Sequence, residues 1–129
     1  MDSKSLQLMG FTSPIPFVEA GNTDVPKQAG VYIIVLLTHE IDYPMGKSDI
    51  VKIGDAENDK GLYMRWSQYF HPGPTQKTNI RLKPKFQRES HGFAWLLLEK
   101  GSADRMEMKL LAQFQREHGQ LPAYNLVRN

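Results

Sequence analysis

Two side chains suited to phosphate chemistry lie four residues apart in the segment VKIGDAENDKGLYMRWSQYF, residues 51–70. A helix is predicted over residues 58–70, because a Pro-Gly step follows it closely. Helical spacing then places Arg65 and Tyr69 side by side at the border of the apolar face. A guanidinium can neutralise a phosphate, and a phenol or phenolate can orient or activate water. The other interpretation is an aromatic helix that packs on a sheet and leaves its arginine exposed.

A carboxylate falls inside the apolar arc of a second predicted helix, residues 102–118. At about 100° per residue, Met106, Leu110 and Phe114 lie within an arc of about 80°, and Glu107 lies beside them. A carboxylate that faces a core is costly unless it is paired, hydrogen-bonded or bound to a cation. Two interpretations are open: an ion pair with an arginine at the rim of the core, or a metal ligand at the bottom of a cleft.

Two apolar segments predict the strands that hold the other polar side chains of this group. GVYIIVLL, residues 30–37, is apolar on both alternating faces, which is typical of a central strand. DIVKIG, residues 49–54, follows a short polar connection and is therefore predicted to pair with it in antiparallel orientation. Tyr32 and Lys52 would project from these strands towards Arg65. The combined residue types suit phosphodiester hydrolysis, in which a cation neutralises the phosphate, a phenol activates water and a carboxylate holds Mg²⁺.

A third strand is predicted over residues 92–99, so the order along the chain is strand, strand, helix, strand, helix. This order predicts an α+β fold around one small antiparallel sheet. A single domain is expected at residues 26–129. The Pro and Gly residues before it predict an irregular lead-in over residues 1–25, with room for a short extended piece.

The composition narrows the class of protein. Cysteine is absent, which excludes a disulfide framework and a thiolate metal site. No apolar run approaches the roughly 18 residues of a membrane-spanning helix. Residues 1–10 lack the apolar core of a secretory signal. A cytoplasmic location is the resulting expectation.

Positive charge is concentrated in one stretch, although the formal net charge is only +2. Between residues 76 and 88 the sequence has no acidic residue and carries these cations: Lys77, Arg81, Lys83, Lys85 and Arg88. Such a stretch attracts polyanions, for example a nucleic acid backbone. The alternative is a solvated loop whose lysines serve solubility.

These motifs together resemble the GIY-YIG nuclease superfamily. The resemblance is carried by VPKQAGVYII, VKIG, Arg65, RMEMKLLAQF with its Glu107, and PAYN, over roughly residues 26–125. In that family the Gly-Ile/Val-Tyr and Tyr-Ile-Gly motifs lie on adjacent strands of a three-stranded antiparallel sheet flanked by helices. Here the second motif reads KIG, because Lys52 stands in place of the motif tyrosine, as in some branches of the superfamily.

The resemblance implies a role for each matching residue. Tyr32 would be the general base or a water-orienting phenol, and Tyr69 would accept its proton or position water. Arg65 would contact the scissile phosphate and stabilise its developing charge. Glu107 would be the single protein ligand of a divalent metal, Mg²⁺ or Mn²⁺. Asn125 matches an asparagine that tethers the site.

Lys52 is the residue that departs from the motif. Its charge could lower the pKa of Tyr32, or its ammonium group could contact the phosphate directly. The resemblance implies a metal-dependent endonuclease that hydrolyses phosphodiester bonds in DNA, and the sequence does not separate DNA from RNA. The second interpretation is a nucleic-acid-binding module on the same fold that cleaves weakly or not at all. Loops such as residues 71–90 would supply any specificity.

Overall fold

The computed structural model describes residues 1–19 and 24–126 of the 129-residue chain. Residues 20–23 of the predicted lead-in and residues 127–129 of the predicted domain lie outside the described residues. The described elements, in chain order, are α1 (Ser3–Leu8), β1 (Ile15–Pro16), β2 (Gly30–Leu36), β3 (Ile41–Asp42), β4 (Lys47–Ser48), β5 (Ile50–Ala56), α2 (Gly61–Phe70), α3 (Lys77–Arg88), β6 (His91–Leu97), α4 (Ala103–His118) and a 3₁₀ turn (Ala123–Leu126).

The main sheet is antiparallel throughout and has the strand order β1-β6-β2-β5. The α+β fold and the three predicted strands are confirmed, but the sheet has four strands rather than three. The additional strand is β1, in which Ile15 and Pro16 pair with Phe93 and Gly92. A two-residue strand has no readable periodicity, and its proline is tolerated because the strand lies at the edge of the sheet.

β2 is the central strand, as its continuous apolar run predicts. All seven of its residues are buried, and their side chains alternate between two apolar layers. Tyr32 and Ile34 pack in the layer shared with α2 and α3, whereas Val31 and Ile33 pack in the layer shared with α1 and α4. The sheet is therefore covered by helices on both faces, and its edge at β5 is where side chains from both layers can meet.

The segment predicted to be an irregular lead-in contains a helix as well as the short extended piece. α1 begins with a capping box, in which the Asp2 side chain accepts from the Ser5 amide and the Ser5 side chain accepts from the Asp2 amide. Leu6 and Phe17 are almost completely buried. The segment is thus part of the core, and a six-residue helix is too short for hydrophobic periodicity to reveal it.

A second difference concerns residues 71–90, which were expected to be loops. They contain the helix α3, with Pro84 in its interior. Pro84 cannot donate to the carbonyl of Ile80, so this sequence is a weak helix by propensity. Burial of Leu82 and Phe86, four residues apart, stabilises the helix through tertiary packing instead.

Within residues 1–19 and 24–126, no helix has both the length and the apolarity needed to cross a membrane.

Candidate active site at the outer edge of the sheet

The ring of Tyr32 lies across Gly54 on the neighbouring strand. The register of β2 and β5 pairs these two residues directly, and paired residues present their side chains on the same face of a sheet. A Cβ atom placed on Gly54 would lie 2.3 Å from both Cζ and the phenolic oxygen of Tyr32. Glycine is therefore required at position 54 by the tyrosine opposite it, so the GVY and KIG segments form one unit.

Tyr32 and Tyr69 form a buried hydrogen-bonded pair between β2 and α2. Their phenolic oxygens are 2.7 Å apart. Burial raises the pKa of Tyr32 to about 12, although the hydrogen bond with Tyr69 and the charge of Arg65 lower it. Burial also raises the pKa of Tyr69 well above its ordinary value. Both phenols are therefore protonated at neutral pH, and either can donate to the other.

Arg65 reaches from α2 to the outer edge of the sheet. Its Nε donates to the backbone oxygen of Asp55, 3.1 Å away, and its Nη1 donates to Oε1 of Gln68, 3.4 Å away. The oxygen of Asp55 is available because β5 is the edge strand. A guanidinium has five N–H donors, and these two contacts in the described part of the chain leave three for an anion that approaches this edge.

Glu107 of α4 and Asp55 of β5 hold a pair of carboxyl groups at the same edge. The register pairs Asp55 with Val31, whose side chain packs in the layer shared with α4. A side-chain hydrogen bond joins Asp55 to Glu107. Partial burial, this hydrogen bond and the charge of Asp55 raise the pKa of Glu107 to about 8, and Lys52 opposes the shift. Glu107 therefore keeps its proton more readily than an ordinary glutamate at neutral pH.

Asp55 is the site residue that sequence reasoning missed. The strand was predicted to end at Gly54, whereas β5 continues to Ala56. Extending the alternation by one residue past Gly54 would have placed Asp55 on the face towards α4. The charges that act on Glu107 come from Asp55, Asp104 and Lys52, and within residues 1–19 and 24–126 none of the ion pairs joins Glu107 to an arginine.

Lys52 lies on the same face of the sheet as Tyr32, as predicted. Its partner in the register is Ile34, which is two residues from Tyr32 along β2. Burial lowers the pKa of Lys52, Glu107 opposes that shift, and Arg65 adds to it. The ammonium group therefore interacts with charges from both helices that flank the edge.

Asn125 holds the outer edge of β5 from the 3₁₀ turn. Its Oδ1 accepts from the Ile53 amide at 3.0 Å, and its Nδ2 donates to the Ile53 oxygen at 2.9 Å. One side-chain amide thus completes both backbone groups of an edge residue that lies between Lys52 and Gly54. The tethering role that the sequence resemblance implied for Asn125 has a direct geometric counterpart here.

Glu57 fixes the start of α4 relative to the end of β5. Ser102 occupies the N-cap position, but its side chain makes no capping hydrogen bond. Instead Oε1 of Glu57 accepts from the Asp104 amide at 2.7 Å, and Oε2 accepts from the Gly101 amide. These bonds lower the pKa of Glu57. Because Glu57 follows β5 closely, they also hold Glu107 opposite Asp55.

The five cations of the basic stretch do not share one surface. At about 100° per residue, four of them fall within an arc of about 80° on α3, while Lys83 lies on the opposite flank of the buried stripe. The four are Lys77, Arg81, Lys85 and Arg88. Lys85 lies over the ring of Tyr124, with its Nζ 5.5 Å from the ring centroid. Tyr124 immediately precedes Asn125, so this face of α3 adjoins the edge of β5.

The carboxyl pair fits a divalent cation. Within the described residues, no group of three or more His, Cys, Asp or Glu side chains is arranged to hold a metal. Mg²⁺ does not require such a group, because it binds one or two carboxylates and keeps several waters. Glu107 and Asp55 supply two oxygen donors whose mutual repulsion a cation would relieve. They are the residues that would hold Mg²⁺ here.

Comparison with known proteins agrees with this arrangement at the level of the fold. Neither the protein-family models nor the curated protein sequences gave a match. Among solved structures, the chain is similar to the GIY-YIG N-terminal endonuclease domain of UvrC from Thermotoga maritima, which was determined bound to its catalytic magnesium. The TM-score is 0.52 at 19% sequence identity, and the match covers 83% of this chain and 93% of that domain. The chain therefore has a GIY-YIG-like fold.

Proposed function

We propose that this chain is a Mg²⁺-dependent endonuclease that hydrolyses phosphodiester bonds in DNA, and that it acts in the cytoplasm. The observation that carries the proposal is the convergence of Arg65, Tyr32 and Glu107 on one strand edge, where each offers a function that this reaction needs. The fold gives further support, because a structural neighbour is an endonuclease domain bound to magnesium. RNA is an alternative substrate, since it carries the same phosphodiester.

Arg65 binds the scissile phosphate in this proposal. Its contacts with Asp55 and Gln68 fix the guanidinium at the edge of the sheet before substrate arrives. A cation held in place stabilises the charge that develops as water attacks phosphorus and the bond to the leaving oxygen breaks. Lys52 lies on the same edge and provides a second positive charge, which takes the place of the phenol expected from the motif.

Tyr32 orients the attacking water. Because the pKa of Tyr32 is about 12, the phenol is a poor base in the protein alone and keeps its proton at neutral pH. When Tyr32 donates to Tyr69, its oxygen retains lone pairs that can accept a hydrogen bond from water. The buried contact with Tyr69 thus sets the direction in which Tyr32 accepts.

Glu107 and Asp55 would hold the metal ion, which would supply a Lewis acid for the phosphate oxygens when bound. Asn125 and Glu57 are positioning residues: the first fixes β5 beside Lys52, and the second fixes α4 so that Glu107 faces Asp55. The basic helix α3 binds the nucleic acid backbone, since four of its cations share one face.

The second candidate is a module that binds nucleic acid on this fold and cleaves it weakly or not at all. Two observations favour it. Tyr32 and Tyr69 are only 4% and 3% exposed, so neither offers an open basic oxygen, and Lys52 replaces the phenol of the motif. Under this interpretation Arg65 and Lys52 bind phosphate without any hydrolysis.

Incubation of supercoiled plasmid with purified protein separates the two candidates. We expect nicked and linear products in Mg²⁺ or Mn²⁺ and none in EDTA. Arg65→Ala should reduce the rate by about two orders of magnitude, because a positioned charge is lost. Arg116→Ala, which removes an exposed arginine from α4, is the matched control. Plasmid that stays intact in both metals, under conditions where the protein binds it, would establish the binding module instead.

A further inference from the structure

The outer edge of β5 is lined by positively charged and amide side chains in a continuous order. Arg65 lies at Asp55, Asn125 lies at Ile53, and Lys52 directly precedes Ile53 along the strand. The chain then continues from Asn125 back to Tyr124, whose ring lies beneath Lys85. The 3₁₀ turn therefore links the two regions: Asn125 contacts the candidate active site, and Tyr124 contacts the C-terminal half of α3.

Tyr124 is a rigid platform at this junction. Its hydroxyl group is 2.8 Å from Nε2 of His91, and the side chain packs against Phe86. The Nδ1 atom of His91 lies 2.9 Å from the backbone oxygen of Glu89 and must donate to it, so Nε2 of the neutral ring accepts from Tyr124. The ring plane beneath Lys85 is thus fixed from two sides.

A concavity of about 180 Å³ lies at the same place, and it is lined by Lys85, Arg88, Glu89 and Tyr124. Two of these side chains are cations, and Lys85 is held by a cation–π contact with Tyr124. Both cations are exposed to solvent. Glu89 adds a negative charge at the rim of the concavity. Because this charge opposes a second anionic group, the concavity is suited to a single phosphate beside the two cations rather than to a highly charged anion.

We propose that the nucleic acid backbone runs along the outer edge of β5 and over Tyr124, and that a phosphate flanking the cleaved one binds between Lys85 and Arg88. This inference rests on the proposed function, because it takes the Arg65 edge as the place of cleavage. It assigns Tyr124 to the path of the nucleic acid. It also distinguishes Lys85 and Arg88, which bind the flanking phosphate, from the other charged residues of the chain. Lys83, on the opposite flank of α3, lies away from this path.

The test is the salt dependence of binding to a labelled duplex in EDTA, measured by fluorescence anisotropy. The variant is Lys85→Gln/Arg88→Gln. The matched control is Lys109→Gln/Arg116→Gln, which removes one lysine and one arginine from the exposed side of α4. We expect the log–log salt slope to fall by up to about 0.9 for the variant, because one phosphate contact is lost, and to stay close to wild type for the control. Equal losses in both double variants would overturn the proposal.

Tyr124 provides a second arm of the same experiment. Tyr124→Phe keeps the ring and Tyr124→Leu removes it, so we expect weaker binding for Tyr124→Leu than for Tyr124→Phe. Equal binding by these two variants would remove Tyr124 from the path. Plasmid cleavage by wild-type protein is measured separately. If the wild-type protein cleaves but Lys85→Gln/Arg88→Gln has no effect on binding, only the proposed path is contradicted. If the variant loses binding but the wild-type protein never cleaves, only the nuclease proposal is contradicted.

Discussion

The side chain of Tyr32 occupies the space that a Cβ atom on Gly54 would fill, 2.3 Å from its phenolic oxygen. This contact is set by the direct pairing of the two residues in the register of β2 and β5. It brings the phenol to the strand that carries Lys52 and Asp55. The geometry of the candidate site therefore depends first on the space left by Gly54, which has no side chain, and not on a reactive group.

Gly54→Ala should displace the Tyr32 ring and separate it from Tyr69. We expect the free energy of unfolding to fall by about 1–3 kcal/mol, as for overpacked sites in a core, and cleavage to be lost. Chemical denaturation measures the first effect. Gly73→Ala is the control, because a Cβ there meets nothing within 4 Å. Similar stability in both variants would show that the contact is not restrictive.

Asn125→Leu should leave the amide and oxygen of Ile53 without partners. Two partly buried backbone groups lose their hydrogen bonds, so we expect a loss of about 1–3 kcal/mol in the free energy of unfolding. Hydrogen exchange of the Ile53 amide gives a local measurement, and it should accelerate more than that of Ile33 in the centre of the sheet. Unchanged protection at Ile53 would contradict the role of Asn125 as a clamp.

Stability should depend on pH through His91. Burial lowers the pKa of His91 below its ordinary value, while the backbone oxygen and charge of Glu89 oppose the shift. The unfolded state therefore binds the proton more readily, so this contribution is complete above about pH 6.5 and is lost as the pH falls through the lower folded pKa. We expect a slope of up to about 1.4 kcal/mol per pH unit from this group.

Denaturation at a series of pH values tests the prediction for His91. His91→Gln removes the titrating group, so the unfolding free energy of this variant should change less between pH 7 and 5 than that of wild type. His39→Gln, which replaces an exposed histidine, serves as the control and should retain the wild-type slope. A wild-type slope in His91→Gln would show that other groups carry the pH dependence.

The parts predicted correctly from sequence are those with long and regular patterns. The apolar run of residues 30–37 identified the central strand, and the 3.6-residue periodicity around Glu107 identified α4 and its inward carboxyl group. Each of these patterns extends over a whole strand or over two or more helical turns. Patterns of that length predict an element well, and the structure contains both elements. Tyr32 and Lys52 were predicted to project together, and the register that pairs Lys52 with Ile34 places them on one face.

The parts that sequence reasoning missed depend on contacts between distant residues. α3 is stabilised by Leu82 and Phe86 despite its internal proline, and β1 exists because β6 offers it an edge. Asp55 can be recognised as a site residue only from its interaction with Glu107, which is 52 positions later in the chain. Capping of α4 by Glu57 rather than by Ser102 has the same origin. None of these contacts leaves a local pattern in the sequence.

The most direct test of the proposed nuclease is the plasmid-cleavage rate of Glu107→Ala at saturating Mg²⁺. Glu99→Ala, a substitution at an exposed carboxylate near the start of the same helix, is the control. We expect Glu107→Ala to abolish cleavage while the fold and the DNA affinity in EDTA remain close to wild type, and Glu99→Ala to cleave normally. Cleavage by Glu107→Ala at the wild-type rate would contradict the account.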